Sequence, residues 1–469
     1  MKKKSQKYSI FKVVCIALAV VILLTWILIT KSVGETGLIK GERMQLGLFD
    51  LFNYLTAIPQ TFGYIPLYVL AVGGFYGVLY KTNGYRNLLD KLVDKYEERE
   101  WVFLTLVMIV FSVLTSVAGL SFALILLFPM VFATMMLMGY SKTTAVMTTV
   151  GAVSVGVLGN TYSVLDAQAL INSFFNLSAS TDVVVRIVTL VLALIILIVN
   201  VLMYASKHKS DAPRKGYLYP ESNNKKAKSW PITFVFDFML IIMVLACMSW
   251  TTTFNKEWFV KALTSVQEFK IFKFPIFAKL LGNVSAFGTW SYTQLIVLIV
   301  VATLFIALTS KLKFEEMVDG YVAGLARAVR PAVMASIVYV FVFINAYHPI
   351  VYTVIEPIMK ISKSFNWITV ITLSISSCIS HFMNVDLYYS AYNMIPYIQV
   401  LFSNEKIYHV AAYLLQTTYG LSTLFVPSSI VLVATLSYSG VKYTKYFRAI
   451  WKLLLELFVL IVIIGIILL

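Results

Sequence analysis

Long apolar stretches recur along the whole chain, and they constrain its fold more than any other feature of the sequence. A helix that crosses a bilayer needs about 17–25 apolar residues, and a membrane β-barrel would instead show short strands of alternating hydropathy. The sequence therefore predicts an all-α polytopic membrane protein. The predicted spans lie at about 13–30, 64–80, 183–204, 231–250, 290–308, 327–345 and 449–468.

The amino-acid composition excludes the soluble classes of protein. Of 469 residues, 59% are hydrophobic and only 13% are charged, and the mean hydropathy is +0.84. So few charges cannot cover a surface that faces water. In a soluble protein the net charge of +16 would suggest a nucleic-acid partner. Basic loops that orient a membrane protein in the lipid explain the charge more simply, so no nucleic-acid partner is predicted.

The distribution of basic residues predicts the orientation. We place the N-terminus inside and treat 101–140 and 366–402 as re-entrant hairpins that open on opposite faces of the membrane. The inside segments then carry 24 Lys and Arg in 89 residues, and the outside segments carry 11 in 99. This bias predicts a cytoplasmic N-terminus. The excess of lysine over arginine and the many aromatic residues suggest an AT-rich bacterial genome, so the expected location is the cell membrane of a bacterium. The run 13–30 is long and lacks a small-x-small cleavage site, which favours an uncleaved first span over a signal peptide.

A polar stretch divides the chain into two similar halves. Residues 205–230 predict a basic cytoplasmic linker between a first membrane repeat, 1–204, and a second, 231–469. Each half opens with a span and continues with an amphipathic segment, 47–58 or 258–281. We expect these segments to be interfacial helices, although ordinary loops remain an alternative. An odd number of crossings in each half makes the repeats inverted, and inverted repeats with broken helices are typical of secondary transporters.

Small and polar residues interrupt the apolar stretches at corresponding places in both halves. The first half has interruptions at 115–121 and 156–163. The second half has them at 374–386 and at 416–423, which runs on to 426–429. Unwound backbone survives inside a membrane only where it lines a cavity. The alternative interpretation is close packing of small residues, with Ser and Thr hydroxyls bonded to their own helix.

We expect all four breaks to share one wet cavity, because unpaired backbone groups that face lipid cost several kcal/mol each. Asn160 and Thr161 should face Thr417 and Thr418 across it. Amides, hydroxyls and freed carbonyls at the breaks could bind a small polar substrate or ion, and helix N-termini there favour a carboxylate. The candidate substrate- or ion-binding residues are Ser116, Ser121, Asn160, Thr161, Ser163, His381, Asn384, Asp386, Thr417, Thr418 and Ser428.

Ionisable residues inside apolar stretches are functional candidates because burying them in a membrane is costly. His381 could couple a proton, since histidine titrates near neutral pH. We predict that Asp386 partners the coupling ion, Na⁺ or H⁺, and that Asp166 contributes little. Arg186 lies near the outer end of its span and is expected to snorkel to the interface. Glu356 is expected in an interfacial segment.

Two other classes of function stay open at this point. His381 and Asp386 spell an H-x-x-x-x-D acyltransferase pattern, which would make the protein a membrane enzyme, and a channel is the third possibility. Two residue types at one spacing recur easily by chance, and the sequence contains no P-loop, H-E-x-x-H or G-x-S-x-G motif. The three cysteines form no C-x-x-C pair, so neither a metal site nor a disulfide framework is predicted, and no cofactor is expected.

Three stretches carry a resemblance to a known family. They are GLFDLF at 47–52 with VGGFYGVLYKTNG at 72–84, GVLGNTYSVLDAQA at 156–169, and 416–451 with VPSSIVL and YTKYFRAIW inside it. In order and spacing they resemble the YfcC-like branch of the four-carbon dicarboxylate anaerobic carrier family, in the ion transporter superfamily. The resemblance covers most of the chain.

The resemblance implies an elevator-type carrier with two repeats, often dimeric, in which hairpins and broken helices hold the substrate. The substrate that it implies is a dicarboxylate, an amino acid or another small carboxylate, with transport coupled to ions or to exchange. It implies that Asn160, Thr161, Thr417, Thr418 and Ser428 occupy substrate or ion positions. The sequence departs from the family at both hairpin tips. The first tip lacks the usual acidic pair, and the second is rebuilt around a histidine and an aspartate. Neither the substrate nor the coupling ion therefore follows from the resemblance.

Overall fold

A computed structural model describes residues 9–162, 168–178, 180–210, 227–248, 250–251, 254–272, 274–282, 284–361, 364–402 and 404–469. The helices are α1 Ser9–Ile27, α2 Leu48–Phe62, α3 Tyr64–Leu79, α4 Asn83–Lys95, α5 Glu100–Ala118, α6 Phe128–Leu137, α7 Lys142–Leu158, α8 Gln168–Phe174, α9 Val183–His208, α10 Trp230–Cys247, α11 Trp258–Glu268, α12 Ile276–Leu281, α13 Tyr292–Thr309, α14 Phe314–Ile337, α15 Val340–Tyr347, α16 Val351–Met359, α17 Trp367–Met383, α18 Leu387–Leu401, α19 Tyr408–Thr423, α20 Ile430–Ser439 and α21 Tyr443–Ile467. Strands β1 Lys31–Val33 and β2 Leu38–Lys40 pair antiparallel.

Seven helical segments within the described ranges are long and apolar enough to cross a membrane. They are α1, α5, α9, α10, α13, the pair α14–α15 and α21. One predicted boundary is wrong: the span expected at 327–345 belongs to a longer helical segment, Phe314–Tyr347. The polar start of α14 suggested a loop, but this helix packs its small residues against α3 instead of facing lipid throughout.

In each predicted hairpin the two ends lie close together, which is consistent with the prediction. In the first hairpin, α5 begins at Glu100, which is 2.8 Å from the Lys209 ammonium. The carbonyl of Gly139, just after α6, accepts a hydrogen bond of 3.0 Å from the amide of Ser210. Both arms thus meet the same end of α9. In the second hairpin, the rings of Phe365 and Phe402 are 5.1 Å apart, so its two ends also meet.

The two hairpins open at opposite ends of α9. This helix has 26 residues and is therefore about 39 Å long. The base of the first hairpin lies at its C-terminal end, as above. The second hairpin lies near its N-terminal end, where Gln399 donates a hydrogen bond of 3.2 Å to the carbonyl of Phe174. The carboxylate of Asp182, which precedes α9, is 3.0 Å from His409 at the start of α19. This arrangement is consistent with inverted repeats.

The unwound segments are shorter than the sequence suggested. The first tip opens at Gly119, whose φ of 68° ends α5, and α7 ends at Leu158. The expectation that 374–383 and 416–423 unwind is wrong, because both remain helical and only Asn384–Asp386 and 424–429 interrupt them. Hydroxyls in these stretches bond to carbonyls one turn back. The hydroxyl of Thr417 donates to Tyr413 at 2.8 Å, and such bonds leave a helix intact.

The amphipathic segments differ from each other. α2 is a helix that meets α3 at 67°, which suits a helix lying along an interface. The segment 258–281 is two short helices rather than one: α11 ends at Glu268, and α12 begins at Ile276, directly after Pro275. Glu356 in α16 forms ion pairs with Lys31 and Lys360. The hydrogen bond from Lys31 holds the pKa of the Glu356 carboxyl below its usual range.

Helices α13 and α14 each pack on α3, and the three are called the scaffold helices below. α3 and α14 approach closely enough that their glycines have no space for a side chain. A Cβ added at Gly324 would lie 2.1 Å from the carbonyl oxygen of Gly73, and one added at Gly77 would lie 2.0 Å from that of Gly320. Backbone oxygens cannot move aside as a flexible side chain can.

Gly324→Ala is therefore expected to destabilise the scaffold by about 1–3 kcal/mol, the usual cost of overpacking a tight interior. The thermal unfolding midpoint in detergent should fall. Ala323→Val, on the exposed side of the same helix, is the matched control and should leave the midpoint unchanged. Equal midpoints for the two variants would show that the close crossing is absent.

Candidate functional site

A cavity of about 210 Å³, called the central cavity below, lies between the hairpin tips and the scaffold helices. Both tips, α7, α19 and the break before α20 contribute to it, so the expected convergence of these segments on one cavity is present. Its lining includes Ser121 and Phe122 from the first tip, Val385, Asp386, Leu387 and Tyr388 from the second, Ser154 and Val157, Tyr419 and Thr423, Ser429, Ile430 and Val431, and the aromatic residues Tyr64, Tyr292 and Tyr339.

Two helix N-termini border the central cavity. α18 starts beside it with Asp386 as the N-cap, whose carboxylate accepts a hydrogen bond of 3.1 Å from the amide of Tyr389. α20 starts beside it with Ser429 as the N-cap, whose hydroxyl accepts a hydrogen bond from Leu432. Amides in the first turn of a helix lack intrahelical partners and carry a partial positive charge, so they attract carboxylates.

Asp386 is the charged residue among those that line the central cavity. Its side chain is half-buried. The opposite wall consists of tyrosines from the scaffold, with Tyr64 and Tyr292 at the first residues of α3 and α13. The rings of Tyr64 and Tyr292 are stacked with centroids 6.0 Å apart. Among the described lining residues, one carboxylate therefore lies beside two helix N-termini, and the tyrosines contribute neutral hydroxyl groups.

His381 and Asn384 hold the second tip together from within. The Nδ1 atom of His381 is 2.6 Å from the hydroxyl of Ser390, and Nε2 is 3.2 Å from the hydroxyl of Thr418. The side-chain amide oxygen of Asn384 accepts hydrogen bonds of 2.8 Å from the side-chain amide of Asn345 and 3.1 Å from that of Asn393. Neither residue lines the central cavity. His381 thus joins the two arms of the hairpin to α19.

Arg186 organises the break after α7. Its guanidinium donates hydrogen bonds of 3.2 Å to the carbonyl of Asn160 and 2.9 Å to that of Thr161, and a third of 2.9 Å to Thr181. The side chain is only 2% exposed, so the expectation that it snorkels is wrong. Ending α7 frees carbonyls, and a buried arginine one span later satisfies them. A basic residue in an apolar run was the signal for this role.

The first hairpin also supports the same break. The hydroxyl of Ser116 donates to the carbonyl of Gly159 at 2.6 Å, and the amide of Thr161 donates to the carbonyl of Ser116 at 3.0 Å. Within the described residues, neither the nitrogen nor the oxygen of the Asn160 side-chain amide has a hydrogen-bond partner, although the residue is fully buried. Leaving a buried amide unpaired costs free energy, so Asn160 remains a candidate for binding the substrate or ion.

Thr417 and Thr418 do not face Asn160 and Thr161 across the central cavity, since none of the four lines it. Instead α7 and α19 cross in direct contact: a Cβ added at Gly420 would lie 2.3 Å from the backbone nitrogen of Leu158. Ser428 is buried, and Ser429 beside it lines the cavity instead. Ser163 and Asp166 lie outside the described residues.

Comparison with known proteins decides the family. The family model described as C4-dicarboxylate anaerobic carrier (DcuC) matches residues 38–469. The chain belongs to the C4-dicarboxylate anaerobic carrier family. The protein is therefore a multi-pass membrane transporter, and the acyltransferase-like interpretation of His381 and Asp386 is wrong. The YfcC-like branch stays a prediction.

Two further comparisons add less to the assignment of this carrier. No curated protein matches the sequence. The crystal structure of the Alcanivorax borkumensis YdaH transporter, described as having an unusual topology, aligns over 97% of both chains with 11% identity and a TM-score of 0.42. A similarity at this score does not by itself establish a common fold.

Proposed function

We propose that this carrier moves a four-carbon dicarboxylate across the bacterial cell membrane by secondary active transport, coupled to Na⁺ or H⁺. The observation that supports the proposal most is the central cavity, where both hairpin tips meet the start of α20 opposite a tyrosine wall. The family description names C4-dicarboxylates for its members. The bias of basic residues toward the predicted inner loops supports a cytoplasmic N-terminus.

The chemistry of the central cavity fits a substrate with two carboxylates. The first turns of α18 and α20 both line it, and each can accept one carboxylate through helix amides and the helix dipole. The hydroxyls of Tyr64, Tyr292 and Tyr339 supply further hydrogen-bond donors on the opposite wall. The aliphatic chain of such a substrate suits the apolar side chains of Val157 and Val431, which also line the cavity.

Asp386 gives a physical reason for ion coupling. A dicarboxylate in the central cavity lies beside this carboxylate, and the described lining residues include no Lys or Arg to offset it. Two like charges 4 Å apart repel by about 4 kcal/mol at an effective dielectric constant of 20. A proton or Na⁺ bound at Asp386 removes this repulsion. Ion and substrate therefore bind more tightly together than separately, which is the requirement for symport.

The division of the site between the hairpins and the scaffold helices supports an elevator mechanism. The hairpins and the broken helices hold the first turns that bind carboxylate, while the scaffold helices contribute the tyrosine wall. Movement of the hairpin unit along this wall would carry the substrate between the two faces of the membrane. The opposite openings of the two hairpins would then serve the two faces in turn.

Uptake of labelled succinate into proteoliposomes tests the proposal. The vesicles carry an inward Na⁺ gradient, an inward proton gradient, no gradient, or internal unlabelled succinate. We expect accumulation under one of the ion gradients and competition by other four-carbon dicarboxylates. Uptake only against internal succinate would replace symport with exchange, and competition by amino acids alone would replace the substrate class. Absence of uptake in every condition, with no succinate-induced rise in thermal stability, would contradict the proposal.

A further inference from the structure

A second and larger cavity, called the vestibule below, adjoins the central cavity. Its volume is about 450 Å³, within the usual range of about 300–1,000 Å³ for small-molecule sites. Residues of the scaffold helices α3 and α14, of α20 and of the first hairpin line it. The residues used below are Val69, Tyr76, Tyr80, Ile125, Arg327, Arg330, Ala434, Thr435 and Gly440, all of which line it.

The vestibule continues the central cavity along the same three elements. On α3, Ile65 lines the central cavity and Val69, one turn later, lines the vestibule. On α20, Val431 lines the first and Ala434 the second. In the first hairpin, Phe122 lines the central cavity and Ile125 lines the vestibule. The two cavities therefore lie in sequence along one side of the scaffold.

The vestibule leads to the face at which the first hairpin opens. It extends to Gly440, which follows α20. The ammonium of Lys142, at the start of α7, donates a hydrogen bond of 3.2 Å to the carbonyl of Ser439. Lys142 follows directly after the base of the first hairpin. By the charge distribution of the loops this face is the cytoplasmic one.

The charge of the vestibule is opposite to that of the central cavity. Arg327 and Arg330 of α14 line it, and no Asp or Glu is among its described lining residues. The guanidinium of Arg327 lies 5.3 Å from the centre of the Tyr80 ring, which holds it at the wall. The neighbouring hydroxyls of Tyr76 and Thr435 already donate to the carbonyls of Leu126 and Val431. Arg327 and Arg330 are the cationic groups among the vestibule's described lining residues.

We propose that Arg327 and Arg330 form a second carboxylate-binding subsite, which docks the dicarboxylate as it passes between the central cavity and the cytoplasm. This inference rests on the proposed function. The planar guanidinium pairs with a carboxylate through two parallel hydrogen bonds. Because both arginines belong to the scaffold, the subsite serves only the side of the membrane to which the vestibule leads. The pair therefore sets apparent affinity on one side and leaves the other side unchanged.

The test measures succinate affinity separately from the two sides. Vesicles are sorted by orientation through labelling of a cysteine introduced at Ser310, in the turn before α14. Arg327→Gln and Arg330→Gln are each expected to raise the KM for succinate from the cytoplasmic side about tenfold, the scale of one charge-assisted hydrogen-bond pair. The KM from the outer side should not change. Lys311→Gln, in the same turn and outside the vestibule, should change neither.

The conservative variants distinguish binding from folding. Arg327→Lys and Arg330→Lys keep the charge and should recover part of the affinity, since an ammonium binds a carboxylate without the two parallel hydrogen bonds. An equal rise of KM on both sides, or no rise in any variant, overturns the subsite while leaving the carrier function intact. Absence of succinate transport in the unmodified protein overturns the proposed function and the subsite together.

Discussion

Asp386→Asn is expected to abolish ion-dependent accumulation of succinate while the protein stays folded. Asparagine has nearly the same shape and caps a helix as well as aspartate, so the N-terminus of α18 should persist. The amide cannot bind a proton or offer Na⁺ a charged ligand. The substrate gradient that the vesicles reach should therefore no longer depend on the imposed ion gradient. Uptake with and without the gradient, together with the thermal unfolding midpoint, measures both parts of the expectation.

Two controls accompany this variant. Asp90→Asn changes a carboxylate on α4 that pairs with Arg86 at 3.0 Å, far along the chain from either hairpin tip, and should leave uptake unchanged. Asp166→Asn should have only a mild effect. Full ion-dependent accumulation by Asp386→Asn would show that the ion binds elsewhere, while the carrier function itself would remain.

Arg186→Gln is expected to lower both stability and uptake strongly. The variant leaves the carbonyls of Asn160, Thr161 and Thr181 without their guanidinium donor in a buried position. Each unpaired buried acceptor costs about 1–3 kcal/mol, so the loss should exceed that of a surface substitution several-fold. The break after α7 should then lose its fixed geometry. Thermal unfolding in detergent and succinate uptake in vesicles measure the two effects.

Arg186→Lys is the matched variant, because it keeps the positive charge but loses the planar guanidinium, which donates to several carbonyls at once. Its stability should lie between those of the unmodified protein and Arg186→Gln. If Arg186→Gln unfolds at the same temperature as the unmodified protein, the buried arginine does not hold the break.

The spans and hairpins could be predicted from the sequence because they depend on properties that act over many residues. Hydropathy sets where helices cross lipid, and the sorting of Lys and Arg required two hairpins, at 101–140 and 366–402. The contacts at the hairpin bases, which include Lys209 with Glu100 and Phe365 with Phe402, are consistent with that inference. The start of α14 was not predicted, because its polar residues are typical of a loop. Only the structure shows that its glycines pack against α3.

The details of the site could not be predicted because they depend on side-chain hydrogen bonds. Ser and Thr both unwind helices and bond to them, and residue type alone does not distinguish these outcomes. The hydroxyls of Thr417 and Thr418 bond to their own helix, so this stretch stays wound. Arg186 suited either an interfacial or a buried position until its carbonyl partners were known. The placement of Ser121 and Asp386 at one cavity follows from the convergence of the breaks, which energetic reasoning did anticipate.

The central claim is that the hairpin tips and the start of α20 form the substrate site. Its most direct test uses single cysteines at Ser121 and at Ser429, which line the central cavity from different repeats. The three native cysteines are replaced, and a cysteine at the exposed Ser206 of α9 serves as the control. Succinate should slow modification by N-ethylmaleimide at both cavity positions and leave the control unchanged. Transport of succinate without protection at either cavity position would contradict the account.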